Sequence, residues 1–527
     1  MKTKNVRKTG GLRSCGTRVL LMLLLCLLLP ALASSESTIE EYTKIIEANP
    51  GDASAYNDRG LAYYAQEQYG EAGADFAQAI ALEPNAAVYH RNLGDACYFQ
   101  EQYDEAIAAY TRAIEIDPAY ARAYRDRGAA RGKQNKTDEA IADYTTAIAL
   151  NASYTGAYNA RGLAYYTQQK YSEAAADFSM AIALEPNEAV YYRNLGDSCY
   201  FQEKYGEAIA AYTRAIQIDP TYARVYRDRG NTYKKQAKND EAIADYTMAI
   251  ALNPSYTGAY NDRGLTYYLQ KKYAEAAEDF AKAIEFVPTE AVYHRNLGDA
   301  CYFQEKYGEA VAAYTRAIEL DASYAMTYRD RGNAYRKQSQ TDEAIADYTA
   351  AIALNPDYAA AYTDRGFVYN NQAQHDAAIE DFTRVIALEP GNAYAYESRG
   401  YAFYSLEKYG EAIGDYTRVL EINPAYPGAY LNRGNAYYRQ NEYEKAIDDY
   451  TRILETEPDS AAAYFNLGNC YYQQTEYEKA IAEYTRAIEL SPNAAQYLEG
   501  RANAYDVIGD ADAAAADRQK AEELNGN

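Results

Sequence analysis

Tryptophan is absent from this chain, and histidine, methionine and cysteine are scarce: 3 His, 5 Met and 6 Cys in 527 residues. So few histidines exclude a histidine-rich metal site. His90 and His294 hold the same place in an internal repeat, and Tyr192 stands in that place between them, an interchange that fits packing and not ligation. His375 is isolated in a helix–helix turn. Cys97, Cys199 and Cys301 are also equivalent to one another, each 102 residues from the next. A disulfide needs Cα atoms within about 7 Å, and stacked repeats would hold these three several layers apart. They are expected, with Cys470, to be buried free thiols. No HExxH, GxSxG or GxxxxGK[ST] motif occurs. The sequence therefore offers no catalytic residue, no metal site and no cofactor site, and an enzyme is not expected.

Positive charge is also short, with 52 basic against 76 acidic residues and a formal net charge of −24. The first 33 residues carry Lys2, Lys4, Arg7, Lys8, Arg13 and Arg18 and no acid, so the remainder is more acidic still. Such a surface repels phosphate backbones, which argues against a nucleic-acid partner. Long apolar runs are missing apart from Val19–Leu29. That run is too short for an ordinary membrane-spanning helix, which needs about 20 apolar residues. It follows a basic segment, is broken by Pro30 and leads into Ala31-Leu32-Ala33. This is the layout of a secretory signal peptide cut between Ala33 and Ser34, with an uncleaved N-terminal anchor as the alternative. The mature chain is expected to have no membrane span, and export to a bacterial periplasm or cell surface follows.

What the chain has in abundance is repetition and tyrosine, 61 of them. Ala87–Tyr120 returns almost verbatim at Ala189–Tyr222 and Ala291–Tyr324, and more loosely at every 34-residue step. Thirteen such repeats tile Ala53–Ala494 without a gap. A leading half repeat (residues 34–52, with a helix at Ser37–Asn49) precedes them, and a degenerate capping repeat (residues 495–525) follows. Within Ala53–Ala86, Tyr56, Gly60 and Tyr63 share one helical face, as do Ala72, Phe76 and Ala79, and Pro84 ends the second helix. Gly60, mid-helix, implies close approach by a neighbouring element. Tyrosines on the packed faces are expected to place their hydroxyls at the solvated edge. Where Pro is replaced, at Ala152 and Ala322, a looser helix exit is expected.

Aromatic, Gly, Tyr, Ala, aromatic, Ala and Pro at repeat positions 4, 8, 11, 20, 24, 27 and 32 resemble the tetratricopeptide repeat. The resemblance implies an all-α, right-handed superhelical solenoid of antiparallel helix pairs, with one face of each first helix lining a groove that receives an extended peptide or partner helix. This chain departs from the family pattern in having Arg at position 7 of many repeats, as at Arg59 and Arg127, and in mostly lacking glycine in the turn between the helices. A carboxylate clamp of the kind some family members use is not matched: Arg227 and Asn231 resemble its first pair, but Asp262 and Val292 stand where Asn and Lys would follow.

Over residues 53–358 the repeats run in triplets of 102 residues. The groove-facing positions of the second, fifth and eighth repeats hold Arg91, Asp95, Tyr98 and Phe99; Arg193, Asp197, Tyr200 and Phe201; and Arg295, Asp299, Tyr302 and Phe303. Those of the third, sixth and ninth are basic: Arg122, Arg125 and Lys133; Arg224, Arg227, Lys234 and Lys235; Arg329, Arg336 and Lys337. Arginine binds carboxylates bidentately and aromatic rings anchor apolar or sugar faces. These bands suit a non-enzymatic scaffold for a protein or extended peptide, acidic ones included. Pairing of Arg91 with Asp95 at i, i+4 on a solvated surface is the competing explanation. A polysaccharide ligand and a purely structural spacer or oligomerisation rod are the functional alternatives.

Overall fold

The computed structural model describes residues 38–525; the signal-peptide expectation, with Ala33 and Ser34, lies outside the described residues. Helix α1 (38–48) is followed by 13- and 14-residue helices in strict alternation, until the last pair, which has 14 and 15 residues. The first body, ending at Thr266, contains α2 (Ala53–Ala65), α3 (Tyr69–Leu82), α4 (Ala87–Phe99), α5 (Tyr103–Ile116), α6 (Ala121–Lys133), α7 (Thr137–Leu150), α8 (Thr155–Thr167), α9 (Tyr171–Leu184), α10 (Ala189–Phe201), α11 (Tyr205–Ile218), α12 (Ala223–Lys235) and α13 (Asn239–Leu252). The division falls within α14 (Thr257–Leu269). The second body, from Tyr267, includes α15 (Tyr273–Phe286), α16 (Ala291–Phe303), α17 (Tyr307–Leu320) and α18 (Ala325–Lys337), and runs to α28 (Ala495–Ile508) and α29 (Ala511–Asn525). Within each body, helices pack in antiparallel pairs and each pair packs on the next. The expected all-α fold is borne out.

The pairing has a local cause. From α2 to α26, each first helix ends in a turn whose second residue past the helix has positive φ, from Glu67 (60°) to Thr475 (63°). Glu67 N–H donates to the Tyr64 carbonyl and Gln68 N–H to the Tyr63 carbonyl, both at 3.0 Å. This crossed pair satisfies the last carbonyls and reverses the chain. A residue other than glycine (glutamate, glutamine, asparagine, lysine, alanine, serine or threonine) holds this left-handed position in thirteen turns, and Gly509 has positive φ between α28 and α29. The glycine missing from the sequence pattern is therefore missing from positions that adopt a glycine conformation anyway.

The core is built from small residues against rings. Ala72, Ala79 and Phe76 are wholly buried, as are Ala106, Ala113 and, to 2% exposure, Tyr110. A Cβ on Gly196 would sit 2.5 Å from the Tyr212 ring, and one on Gly60 2.7 Å from that of Phe76. Position 8 is thus glycine because the ring at position 24 lies on the helix backbone there. The four cysteines among the described residues are buried and free. His90 and His294 reach the carbonyls of Pro84 and Pro288 at 2.9 and 3.0 Å.

Two expectations are corrected. Helices α7 and α17 end at Leu150 and Leu320 just as their counterparts do, without proline. Asn151 and Asp321 accept from the backbone N–H two residues on, at 3.1 and 2.9 Å, and this side-chain turn stops the helix. Seven of the core tyrosine hydroxyls are also not free at a solvated edge. Tyr110, Tyr212 and Tyr314 donate to Asp95, Asp197 and Asp299, and Tyr246, Tyr348, Tyr450 and Tyr484 to Asn231, Asn333, Asn435 and Asn469, all at 2.7–2.9 Å. Where position 24 is Phe, as at Phe76 and Phe178, position 9 is Leu61 or Leu163.

Candidate functional site

Two arrangements of arginine and aspartate run through the chain. The first is a staple. Arg59 donates from Nε and Nη2 to both carboxylate oxygens of Asp75 at 2.8 Å, and from Nη1 to Thr43 in α1 at 3.2 Å. Its guanidinium carbon lies 5.7 and 5.9 Å from the Tyr56 and Tyr63 ring centres. The staple thus joins the two helices of one repeat to the preceding helix, with the cation between two rings. It recurs at Arg127–Asp143, Arg161–Asp177 and Arg229–Asp245 in the first body, and at Arg331–Asp347, Arg365–Asp381, Arg399–Asp415, Arg433–Asp449 and Arg501–Asp517 in the second. Position 7, a departure from the family pattern, is therefore structural. Its partner at position 23 was not singled out from the sequence. The repeats carry the signal themselves: where position 7 is Leu93, Leu195 or Leu297, position 23 is Ala109, Ala211 or Ala313.

Those staple-free repeats carry their arginine at position 5 instead, and there the second arrangement forms. Arg91 on α4 sits 2.6 Å from Asp95 and donates through Nε to Asp126 of α6 at 2.8 Å. Asp126 also faces Arg125 at 3.2 Å, and Arg125 donates to the Tyr154 hydroxyl at 3.0 Å. Burial, together with the neighbouring Asp126 carboxylate, outweighs Arg91 and pushes Asp95 up to about 6. Although burial opposes it, Arg91 is held charged by Asp95 and Asp126. Beside this network lies a cavity of about 550 Å³, walled by Leu61 and Tyr64 of α2, Tyr98 and Phe99 of α4, and Arg122 and Ala129 of α6. Phe99 is half exposed, stacks on Tyr69 at 5.2 Å and meets Tyr64 and Tyr98 edge-on. The structure thus brings Arg91, Asp95, Tyr98, Phe99, Arg122 and Arg125 together. Lys133, exposed at the end of α6, is not among the lining residues.

The fourth to sixth repeats build the same site with differences. Arg193 contacts Asp197 at 2.8 Å and Asp228 at 3.0 Å, Asp197 is likewise pushed up to about 6 by burial, and Phe201 stacks on Tyr171 at 5.1 Å. Here the space is divided into cavities of about 240 and 160 Å³, and Arg193, Asp197 and Arg224 line both. Tyr200 and Phe201 line the larger one. Arg227 is drawn away from it, to Asp262 at 2.6 Å under the Tyr256 ring. Lys234 and Lys235 end α12 outside the lining.

In the second body Arg295 lies 3.7 Å from Asp299 and 3.0 Å from Asp330, and Tyr302 and Phe303 repeat the ring cluster. Met326 replaces the arginine found at 122 and 224, and with Val292 and Tyr324 it lines an apolar cavity of about 230 Å³. Arg329 pairs with Asp364 at 2.6 Å, Arg336 covers the Phe367 ring, and Lys337 is exposed at the helix end. Arg125, Arg227 and Arg329 are each neutralised by an aspartate, because position 6 is acidic one residue away or in the following repeat.

Among the described residues no His, Cys, Asp and Glu group is placed to hold a metal ion, and no helix is long and apolar enough to cross a membrane. Models described as tetratricopeptide repeat or TPR repeat match residues 53–86, 94–135, 131–169, 156–188, 196–237, 227–291, 298–338, 332–372, 359–392, 400–441, 431–495 and 474–526. No curated protein matches the sequence. Among solved structures, the chain is similar to MamA (26% identity over 31% of this chain and 96% of that one, TM-score 0.30). It is also similar to YrrB, described as a TPR protein with an unusual peptide-binding site (24%, 34% and 94%, TM-score 0.31). A third is the C-terminal part of a TPR repeat-containing protein from Cytophaga hutchinsonii (19%, 45% and 97%, TM-score 0.41).

Proposed function

The chain belongs to the tetratricopeptide-repeat family, and on that premise we propose that it is a non-enzymatic scaffold holding an extended segment of another protein along its first helices. One observation carries this reading. The same walled site, an arginine between two aspartates beside a ring cluster, is built in the first to third repeats and again in the fourth to sixth. Aromatic and arginine side chains grouped in a recess are the chemistry that anchors peptide segments. A chain with side chains at intervals would engage such sites in succession, each adding to an otherwise weak hold. Export to a periplasm or cell surface is part of the same proposal, and N-terminal sequencing of the purified protein tests it.

The scaffold reading is tested on an array of random 15-residue peptides, with a glycan array in parallel. Peptide binding that falls on Tyr98→Ala and Tyr200→Ala is expected. Glycan binding with no peptide bound would replace this reading by the polysaccharide one.

A further inference from the structure

The second, fifth and eighth repeats each end in a tyrosine, Tyr120, Tyr222 and Tyr324, and the last of these stands apart. Tyr120 belongs to a packed cluster with Ala87, Ala113 and Ala123. Tyr222 belongs to one with Ala189, Ala215 and Val225. The counterparts of these walls next to Tyr324 are Ala291, Ala317 and Thr327. There they line the 230 Å³ cavity, and Tyr324 stands outward at its rim, 54% exposed. The cavity is thus the slot that a ring of the chain itself fills in the second and fifth repeats. Thr327 does not close it, because the equally branched Val225 leaves room for Tyr222.

The arginine beside the slot has also exchanged its partner. In the third, sixth and ninth repeats the position 5 arginine lies over the position 34 ring of the same repeat. Arg125 is 5.9 Å from Tyr154, Arg227 5.5 Å from Tyr256 and Arg329 5.9 Å from Tyr358. Arg295 of the eighth repeat lines the cavity and instead donates from Nη2 to the Met326 sulfur at 2.9 Å. Its charge is met by Asp330 at 3.0 Å and Asp299 at 3.7 Å. Among the described residues no ring lies over it.

We propose that the slot between α16, α17 and α18 receives one aromatic side chain, phenylalanine or tyrosine, from the segment that the scaffold binds. This rests on the scaffold reading and names the side chain taken at this place. The size fits: an apolar cavity of roughly 150 Å³ already holds a benzene ring, and this one has about 230 Å³. The shape fits, because equivalent walls hold Tyr120 and Tyr222. The chemistry favours a ring over an aliphatic side chain. The Arg295 guanidinium attracts a π face, and Met326 brings its sulfur to a ring edge. Val292 and Met326, both exposed, form the mouth.

The test uses the full mature chain and 12-residue peptides, acetylated and amidated, that carry no acidic residue. They differ at one central position, which is phenylalanine, leucine or serine. By fluorescence anisotropy the phenylalanine peptide should bind more tightly than the serine peptide by roughly tenfold or more, with leucine between. A fourth peptide carries 4-azidophenylalanine at that position. On illumination it should label Val292 and Met326 ahead of their counterparts Val88 and Arg122, and Val190 and Arg224. Val292→Trp at the mouth should remove the label from Met326, and Val190→Trp should leave it. Both residues are exposed, so matching thermal melts show that the variants are folded. Equal labelling of the three places, or labelling of Met326 untouched by Val292→Trp, overturns the slot and leaves the scaffold standing. Equal binding of the phenylalanine, leucine and serine peptides does the same, and is the result if Tyr324 closes the slot in solution. Binding of no peptide, with a silent 15-residue array, overturns both.

Discussion

Repeats Ala87–Tyr120 and Ala121–Tyr154 are neighbours of equal length, and they use the same two residue types for opposite ends. In the later repeat, Arg127 and Asp143 staple α6 to α7 beneath the Tyr124 ring. In the earlier one that staple is replaced by Leu93 and Ala109, and the pair reappears as Arg91 and Asp95 beside the cavity. Moving an arginine by two helical positions turns it from the packed interface toward the cavity. A repeat that does without its staple holds together by apolar contact and spends its charge pair on the site.

The sharpest way to break this comparison is to remove one partner of each pair. Asp143→Ala strands Arg127 and takes from Arg131 one of its two carboxylate partners, leaving it Glu139. Loss of a partner from a buried pair costs about 3 kcal/mol or more, and hydrogen exchange should rise in α6 and α7 and spread chiefly to their neighbours. Gly196→Leu tests the staple-free type of repeat. A Cβ there meets the Tyr212 ring at 2.5 Å, so overpacking of at least about 2 kcal/mol is expected, again with local exchange.

A smaller effect separates the two kinds of aspartate. Asp95 is pushed up to about 6 by burial, with the Asp126 carboxylate adding to it, against Arg91 and Arg122 and the Tyr110 hydroxyl. An unfolded aspartate titrates near about 3.9. The folded state thus binds the extra proton between these values. The resulting stabilisation is full below the unfolded value and is lost as pH rises through about 6. Acidification from pH 7 to 5 should stabilise this region by roughly 1 kcal/mol, and Asp95→Asn should flatten that dependence while keeping an acceptor for Tyr110. Exchange rates in α4 and α5 at the two pH values check it. The smallest effect concerns the turns. Glu67→Gly relieves a left-handed residue at φ 60° and should raise the melting temperature slightly, by about 0.5–1 kcal/mol of stability.

The fold was legible because a strict 34-residue period carries its own frame, and the ring cluster was legible because Tyr98 and Phe99 recur with Arg91. The staple escaped notice because Arg59 and Asp75 lie 16 residues apart on different helices, a spacing that no single-helix periodicity displays. Their joint replacement by Leu and Ala in three repeats does display it, as does the exchange of Tyr and Asp for Phe and Leu at positions 24 and 9. The pairing of Arg125 in the first cavity was harder to see. It depends on Ala160, one repeat on, which stands where Asp262 meets Arg227.

The central claim is that the Arg91–Asp95 pair, in a repeat without a staple, controls what the cavity binds. Its most direct test is the affinity of a cavity-binding acidic peptide between pH 7.5 and 5. Protonating Asp95 removes one negative charge from a site faced by Arg91 on α4, Tyr110 on α5, and Arg122 and Asp126 on α6. Affinity should therefore rise as pH falls through about 6, and Asp95→Asn should bind at the tighter level throughout. An affinity that is level across pH 6, or that weakens there in the wild type, contradicts the account.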